Sequence, residues 1–290
     1  MSGKEIRLIA TDLDGTLLNE KQEICEENLR ALKAAADRGV HIAFCSGRPP
    51  HDVSIFAVEA DMSPYILGLN GCCCLEKPLG DIWREDLLPE DDVRRLVDEI
   101  SKAGLVSGVF SGAKLILNVP ETVYGDPRRV WGSNLLDPRA GYEICYNNDK
   151  LEEAIARGVN KMMAHDPWRK DDTLTRLFEQ LPQIVPGPEY TSSWITNIEI
   201  NPATMNKGKS VLRLARHLGL DSDEVMTLGD NDNDISMLEA AEYSVAMGNA
   251  TPGAIAAAKY ITCDFRQAGL AKAVRKLVLH EDVPCVRRMI

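Results

Sequence analysis

The chain has 290 residues, 44% apolar and 27% charged, a balance that suits a folded protein of two domains and excludes a fibrous or disordered one. Its net charge of −11 argues against a nucleic-acid partner, because a phosphate backbone calls for a basic surface. Small phosphorylated ligands stay open, since local cations and backbone N–H groups bind them whatever the total charge.

No apolar run approaches the roughly 18 residues that span a membrane, and Met1–Asp14 lacks the apolar stretch of a signal peptide. A cytoplasmic protein with no membrane partner is expected. The eight cysteines include the run Cys72-Cys73-Cys74. Neighbours in an extended segment point to opposite faces, so such a run is a poor metal clamp. With no C-x-x-C pair, the cysteines read as free thiols filling small apolar spaces.

In chain order, Ile6–Thr11 reads as a buried strand that runs into Asp12-Leu13-Asp14-Gly15-Thr16. A helix follows over Glu26–Arg38, stopped by Gly39. Val40–Phe44 is a second strand, ending at Cys45-Ser46-Gly47-Arg48, and a further helix leads to a strand at Tyr65–Leu69 and then Asn70-Gly71. From Trp83 to Ile200 the pattern changes. Extended stretches at Leu105–Phe110, Lys114–Val119, Val159–Ala164 and Ile195–Ile200 mix with helical patterns at Asp91–Ala103, Asp149–Arg157 and Asp171–Leu181. The last third returns to alternation: helix Lys207–His217, strand Val225–Leu228, helix Asp234–Ala241, strand Tyr243–Met247, a helix from Pro252, strand Tyr260–Thr262 and helix Ala268–Leu279. This order predicts an α/β fold: a doubly wound, mostly parallel sheet over residues 1–82 and 201–290, with an α+β domain inserted at 83–200. Ligands of such sheets bind beyond the C-terminal strand ends, where the Asp12, Ser46 and Asp230 motifs fall.

Asp12 and Asp14 are two apart at a strand end, so both carboxylates can face one site, and their repulsion calls for a cation or proton between them. Taken alone this is a common strand-to-loop junction. Gly229-Asp230-Asn231-Asp232-Asn233-Asp234 is a second acidic cluster at another strand end, suited to the hard oxygen ligands of Mg2+. A calcium loop is rejected, because the run lacks glycine at its sixth position and has Ala241 at its twelfth. Asp232 or Asn233 also reads as a cap for the following helix. Ser46-Gly47 offers a hydroxyl and a backbone N–H for phosphate, or is a plain turn. Lys207 starts a helix, where a cation opposes the helix dipole; a phosphate oxygen is its natural partner.

In combination these motifs resemble the haloacid dehalogenase superfamily of phosphohydrolases, and within it the Cof-type subgroup (HAD-IIB, with a C2 cap). Asp12-Leu13-Asp14-Gly15-Thr16, Ser46 with Gly47, Lys207 in Asn206-Lys207-Gly208, and Gly229-Asp230 through Asn233-Asp234 match the four family motifs in order. Ser244–Ala250 resembles the subgroup as well, and the insertion corresponds to its cap. Cys72 departs from the pattern, since the family usually has a small residue after Asn-Gly. The resemblance implies a Mg2+-dependent phosphatase of small phosphorylated metabolites, with Asp12 as nucleophile and Asp14 as acid and base. It implies metal bound by Asp12, the Asp14 carbonyl and Asp230, phosphate bound by Ser46, Gly47, Lys207 and Asn233, and Asp234 in support. Arg48, Asn70 and Trp194 are candidate substrate contacts, although a structural role is the stronger reading of each. A phosphomutase of the same fold and a non-enzymatic phospho-metabolite sensor are the competing readings. Free phosphate as product separates the first from hydrolysis, and binding without turnover would mark the second.

Overall fold

The computed structural model describes residues 4–112, 114–119, 143–145, 149–166, 171–192 and 196–289; Trp194 lies outside them. The chain forms two compact units, Met1–Trp83 with Lys207–Ile290, and Arg84–Asn206. The first unit begins with β1 (Leu8–Thr11), α1 (Glu26–Ala36), β2 (His41–Cys45), α2 (Pro50–Glu59), β3 (Tyr65–Gly68), β4 (Cys73–Leu75) and β5 (Ile82–Glu85), the last straddling the boundary. The second unit holds α3 (Glu90–Lys102), β6 (Val106–Ser111), β7 (Lys114–Asn118), β8 (Glu143–Cys145), α4 (Asp149–Arg157), β9 (Lys161–His165), α5 (Thr173–Ile184), β10 (Glu189–Thr191) and β11 (Asn197–Asn201). The first unit resumes with α6 (Lys207–His217), β12 (Val225–Gly229), α7 (Ile235–Ala240), β13 (Tyr243–Ala246), α8 (Pro252–Ala257), β14 (Tyr260–Ile261), α9 (Gly269–Leu277) and β15 (Arg287–Arg288).

The large sheet has the order β15-β14-β13-β12-β1-β2-β3-β4-β5. It is parallel from β14 through β3 and antiparallel at the β3–β4 and β14–β15 pairings. β1 is central and all four of its residues are buried, which is why its sequence is apolar on both faces. Ile9 joins a core with Phe44, Ile66, Leu228, Leu270 and Val274 on one side. Leu8 and Ala10 join Leu67, Val211, Leu214 and Met237 on the other. Strand order departs from β1 in both directions, toward β2 and toward β12, and such a reversal opens a crevice at the C-terminal strand ends.

The second unit has a sheet of order β10-β11-β9-β6-β7-β8, antiparallel except for β7 with β8. Val109, Ile116, Met162, Ala164, Ile198 and Ile200 line one face and pack against Val93, Leu96, Ile155 and Leu181 of the helices. Lys161 and Glu199, two residues that alternate to the other face, form a buried ion pair of 2.9 Å.

Most elements lie within a residue or two of their expected bounds. Five short strands, β4, β5, β8, β10 and β15, carried no signal, because two to four residues show no usable period. α5 runs to Ile184, past the end expected at Leu181, with Pro182 accommodated in its last turn. Neither Asp232 nor Asn233 caps α7: its N-cap is Asp234, with no side-chain cap bond, and Asn231 caps the short turn Asp232–Asp234 before it. The free-thiol reading fails for two cysteines. The β14–β15 pairing brings the tail alongside the core, and Cys263 and Cys285, with Cα atoms 5.9 Å apart, form a disulfide. Cys45, Cys72, Cys73 and Cys74 are buried thiols outside any disulfide, and Cys25 is a half-buried one. Cys72 fits the packing with no exposure. Among the described residues no helix is long and apolar enough to cross a membrane.

One buried polar side chain ties the loop after β1 to α9. Asn28, 1% exposed, donates from Nδ2 to the Leu17 carbonyl at 3.1 Å and accepts at Oδ1 from the Ala271 N–H at 3.0 Å. That N–H belongs to the first turn of α9, where no carbonyl of the helix can reach it. Asn28→Ala is expected to destabilise the fold by about 2–4 kcal/mol, the cost of leaving two buried groups unpaired. A lower denaturant midpoint at unchanged m would show this, and an unchanged midpoint would refute it.

Candidate active site

Three adjacent strands end in the residues singled out above. Asp12 follows β1, Ser46 follows β2 and Asp230 follows β12. The Asp12 N–H donates to the Leu228 carbonyl at 2.9 Å, so the sheet pairing itself sets where Asp12 starts. Gly15 then turns the chain at φ +81°. A Cβ there would come within 2.4 Å of Asp230 Oδ2, which only glycine avoids. Lys207, the first residue of α6, is fully buried and donates from Nζ to Asp12 Oδ1 and to Asp234 Oδ1, each at 2.6 Å. A cation misplaced for its helix is thus well placed for two acids.

Asp234 is completely buried, and its second oxygen accepts from the N–H groups of Asp230 at 2.9 Å and Asn231 at 3.0 Å. It therefore holds the β12 loop and Lys207 together. Asp230 accepts at Oδ1 from Thr16 Oγ1 at 2.9 Å and at Oδ2 from Asn249 Nδ2 at 3.2 Å. One carboxylate oxygen from each of Asp12, Asp230 and Asp234 lies within 4.8 Å of the other two. Asp234 accepts three hydrogen bonds, from Lys207 and two backbone N–H groups, against two on Asp230 and one on Asp12, so the latter two keep more lone pairs for a cation. An all-oxygen set with excess negative charge fits a hard divalent ion.

The electrostatics carry the same message. Burial is the largest influence on Asp12 and raises its pKa well above the usual carboxylate range. Asp234 adds to the rise, and Lys207 opposes it. Asp230 is pushed up to about 7, first by burial and then by Asp234. Burial disfavours the ammonium of Lys207, yet Asp12 and Asp234 outweigh it and hold the pKa above that of a free lysine.

Asp14 faces a different partner. Arg48 clamps it with two bonds of 2.7 Å, Nε to Oδ2 and Nη2 to Oδ1. Arg48 also reaches the fully buried Asp52 at 3.1 Å, touches Gln22 Oε1 and lies over the Phe56 ring. Burial works against this guanidinium, while the Asp14 and Asp52 carboxylates raise its pKa and keep it charged. Ser46 is buried and its Oγ accepts from the Arg48 N–H at 3.2 Å, with Gly47 between them. Asn70 is buried with a left-handed backbone (φ 57°), its N–H on the Ser46 carbonyl at 2.8 Å. Asn233 sits half-buried on the turn Asp232–Asp234. Two participants had no role in the sequence reading: Thr16 and Asn249. Both stand inside stretches quoted for the family resemblance, which was the available signal.

A family profile described as haloacid dehalogenase-like hydrolase matches residues 9–274. Over 281 residues the chain is 30% identical to 5-amino-6-(5-phospho-D-ribitylamino)uracil phosphatase YcsE of Bacillus subtilis, covering 95% of this chain and 97% of that one. A solved haloacid dehalogenase-like hydrolase from B. subtilis superposes with a TM-score of 0.79 at 25% identity, covering 94% of this chain and 100% of that one. A HAD subclass IIB sugar phosphatase has the same fold, with a TM-score of 0.77 at 23% identity over 93% of this chain and 98% of that one. With motifs, fold and sequence agreeing along nearly its whole length, the chain belongs to the haloacid dehalogenase-like hydrolase family, in its Cof-type phosphatase branch.

Proposed function

We propose that the chain is a Mg2+-dependent phosphomonoesterase that cleaves a small phosphorylated metabolite through an aspartyl-phosphate on Asp12. The carrying observation is the Lys207 ammonium held at 2.6 Å between Asp12 and Asp234, beside Asp230, at the central strand end. Asp12 attacks phosphorus, the ester P–O bond breaks, and the leaving oxygen takes a proton from Asp14. Asp14 then takes a proton from the water that attacks phosphorus, which releases phosphate and restores Asp12. Ser46 Oγ, the Gly47 N–H, Lys207 and Asn233 hold the phosphoryl oxygens, and Asp234 keeps Lys207 in place. Asp12, Asp230 and the Asp14 carbonyl would hold Mg2+, whose positive charge would let a dianionic phosphate approach two carboxylates. Arg48 fixes the orientation of Asp14. The inserted unit acts as the cap that selects substrate. The B. subtilis relative named for a phosphorylated ribitylaminouracil supports a sugar or polyol phosphate as the substrate class.

Asp12→Asn keeps the shape of the side chain and removes the nucleophile. It is expected to lower phosphate release at least about a thousandfold in a protein that still folds cooperatively. Turnover near wild type in a preparation free of other phosphatases would remove Asp12 from this role. Arg48→Ala separates orientation from substrate contact. If Arg48 positions Asp14, kcat drops while KM stays within about threefold; a rise in KM at constant kcat would assign Arg48 to the substrate instead.

The Asp230 pKa of about 7 gives a pH dependence with a definite sign. A carboxylate raised above its unfolded value of about 3.9 stabilises the metal-free fold at low pH. That contribution is lost as pH rises through about 7. The chelated protein should therefore melt lower at pH 8 than at pH 6, and Mg2+ should reverse the loss. Protons compete with the metal, so the Mg2+ dissociation constant should rise about tenfold per pH unit below that pKa. Calorimetric titration at pH 6, 7 and 8 checks this, and a pH-independent constant would contradict it.

A further inference from the structure

Asn249 joins three loops through one carboxamide. Its Nδ2 donates to the Gly15 carbonyl at 3.0 Å and to Asp230 Oδ2 at 3.2 Å, and its Oδ1 accepts from the Phe265 N–H at 3.2 Å. The orientation of the amide follows from its neighbours. Phe265 presents only a donor and Gly15 only an acceptor, so a flipped amide would set oxygen against a carbonyl and a carboxylate. Both N–H groups of Nδ2 are used, one on each acceptor. Serine has a single donor, aspartate has none, and glutamine is longer by a methylene.

Asp230 is gripped at three points besides its own N–H, which donates to Asp234 Oδ2 at 2.9 Å. Thr251 N–H donates to its backbone carbonyl at 2.8 Å, Thr16 Oγ1 to Oδ1 at 2.9 Å, and Asn249 to Oδ2. Two donors on opposite oxygens prevent rotation of the carboxylate about its Cβ–Cγ bond. The backbone around Asn249 is itself anchored. The Met247 N–H bonds the Gly229 carbonyl at 3.0 Å, and the Gly248 N–H bonds the Cys263 carbonyl at 3.1 Å.

We infer that Asn249 is a positioning residue for the metal site: it sets the rotation of the Asp230 carboxylate and ties it to the Gly15 turn that carries Asp12 and Asp14. The inference rests on the reading of Asp230 as a Mg2+ ligand. A group in this position typically changes metal affinity about 10–100-fold when removed. It leaves the reacting atoms alone, so its effect is on metal occupancy.

Calorimetric titration of the metal-free full chain with MgCl2 tests this, for wild type, Asn249→Ala and Asn249→Asp. Asn249→Asp keeps the acceptor for Phe265, and so the loop, but turns an acceptor toward Asp230. Both variants are expected to bind Mg2+ at least about tenfold more weakly than wild type. In assays, kcat of Asn249→Ala should return to within about threefold of wild type at saturating Mg2+, with KM for substrate unchanged. Loss through general disorder would persist at saturation. Wild-type or tighter Mg2+ binding by either variant, or a kcat that saturating Mg2+ does not restore, overturns the inference. If wild type itself binds no Mg2+, the metal reading of the site fails instead, and the two failures are told apart by that one control.

Discussion

Lys207 Nζ lies 2.6 Å from carboxylates on two loops, Asp12 after β1 and Asp234 after β12, and none of the three groups is appreciably exposed. Buried charge persists only when paired, and removing one partner leaves the others stranded. Here one ammonium serves two acids while Asp230 stands close by, so the cluster keeps an excess of negative charge. The rest of the site is arranged around that excess. α6 is pressed so close to α7 that a Cβ on Gly208 would sit 2.1 Å from the Ser236 carbonyl oxygen. The glycine after the lysine is thus what lets the ammonium reach the strand ends.

The two acids of the first motif are separated by chemistry as well as by position. Asp12 is drawn inward by Lys207, while Asp14 is turned to Arg48, which is itself locked by Asp52. Two carboxylates two residues apart thereby acquire different environments: one buried among acids, the other 40% exposed and paired with a permanent cation. That division supports the different tasks proposed for the two. Sequence spacing alone only says that both can face one site.

The strand ends were legible because parallel strands buried on both faces read as apolar runs, and each run here stops at a polar residue: Asp12, Ser46 or Asp230. Lys207 was legible from its conflict with the helix dipole. The Arg48–Asp14 clamp was not, because it joins residues 34 apart whose meeting depends on β1 and β2 being neighbours. Asn249 was hidden for the same reason, since it lies 234 residues from the Gly15 carbonyl it bonds. The triple cysteine, read as filler, is buried and puts Cys73 and Cys74 in the short strand β4, antiparallel to β3, a length at which period carries no information.

The Cys263–Cys285 disulfide encloses a separation of 22 residues that takes in α9 and the turn leading to β15. On the chain-entropy account, a loop of that size removes about 3 kcal/mol worth of freedom from the unfolded chain. The segment it secures is also held by the Arg275–Glu281 and Arg288–Glu242 ion pairs, by the Met289 N–H on the Lys259 carbonyl at 2.8 Å and by Arg288 over the Tyr260 ring. β15 is two exposed residues, anchored by the buried Val283 and Val286. Those two residues, Arg287 and Arg288, cap the otherwise open edge of β14 with charge. An uncapped edge is a template on which another chain can add a strand. The disulfide thus adds to the contacts that keep the hydrogen-bonding rim of β14 covered by its own tail.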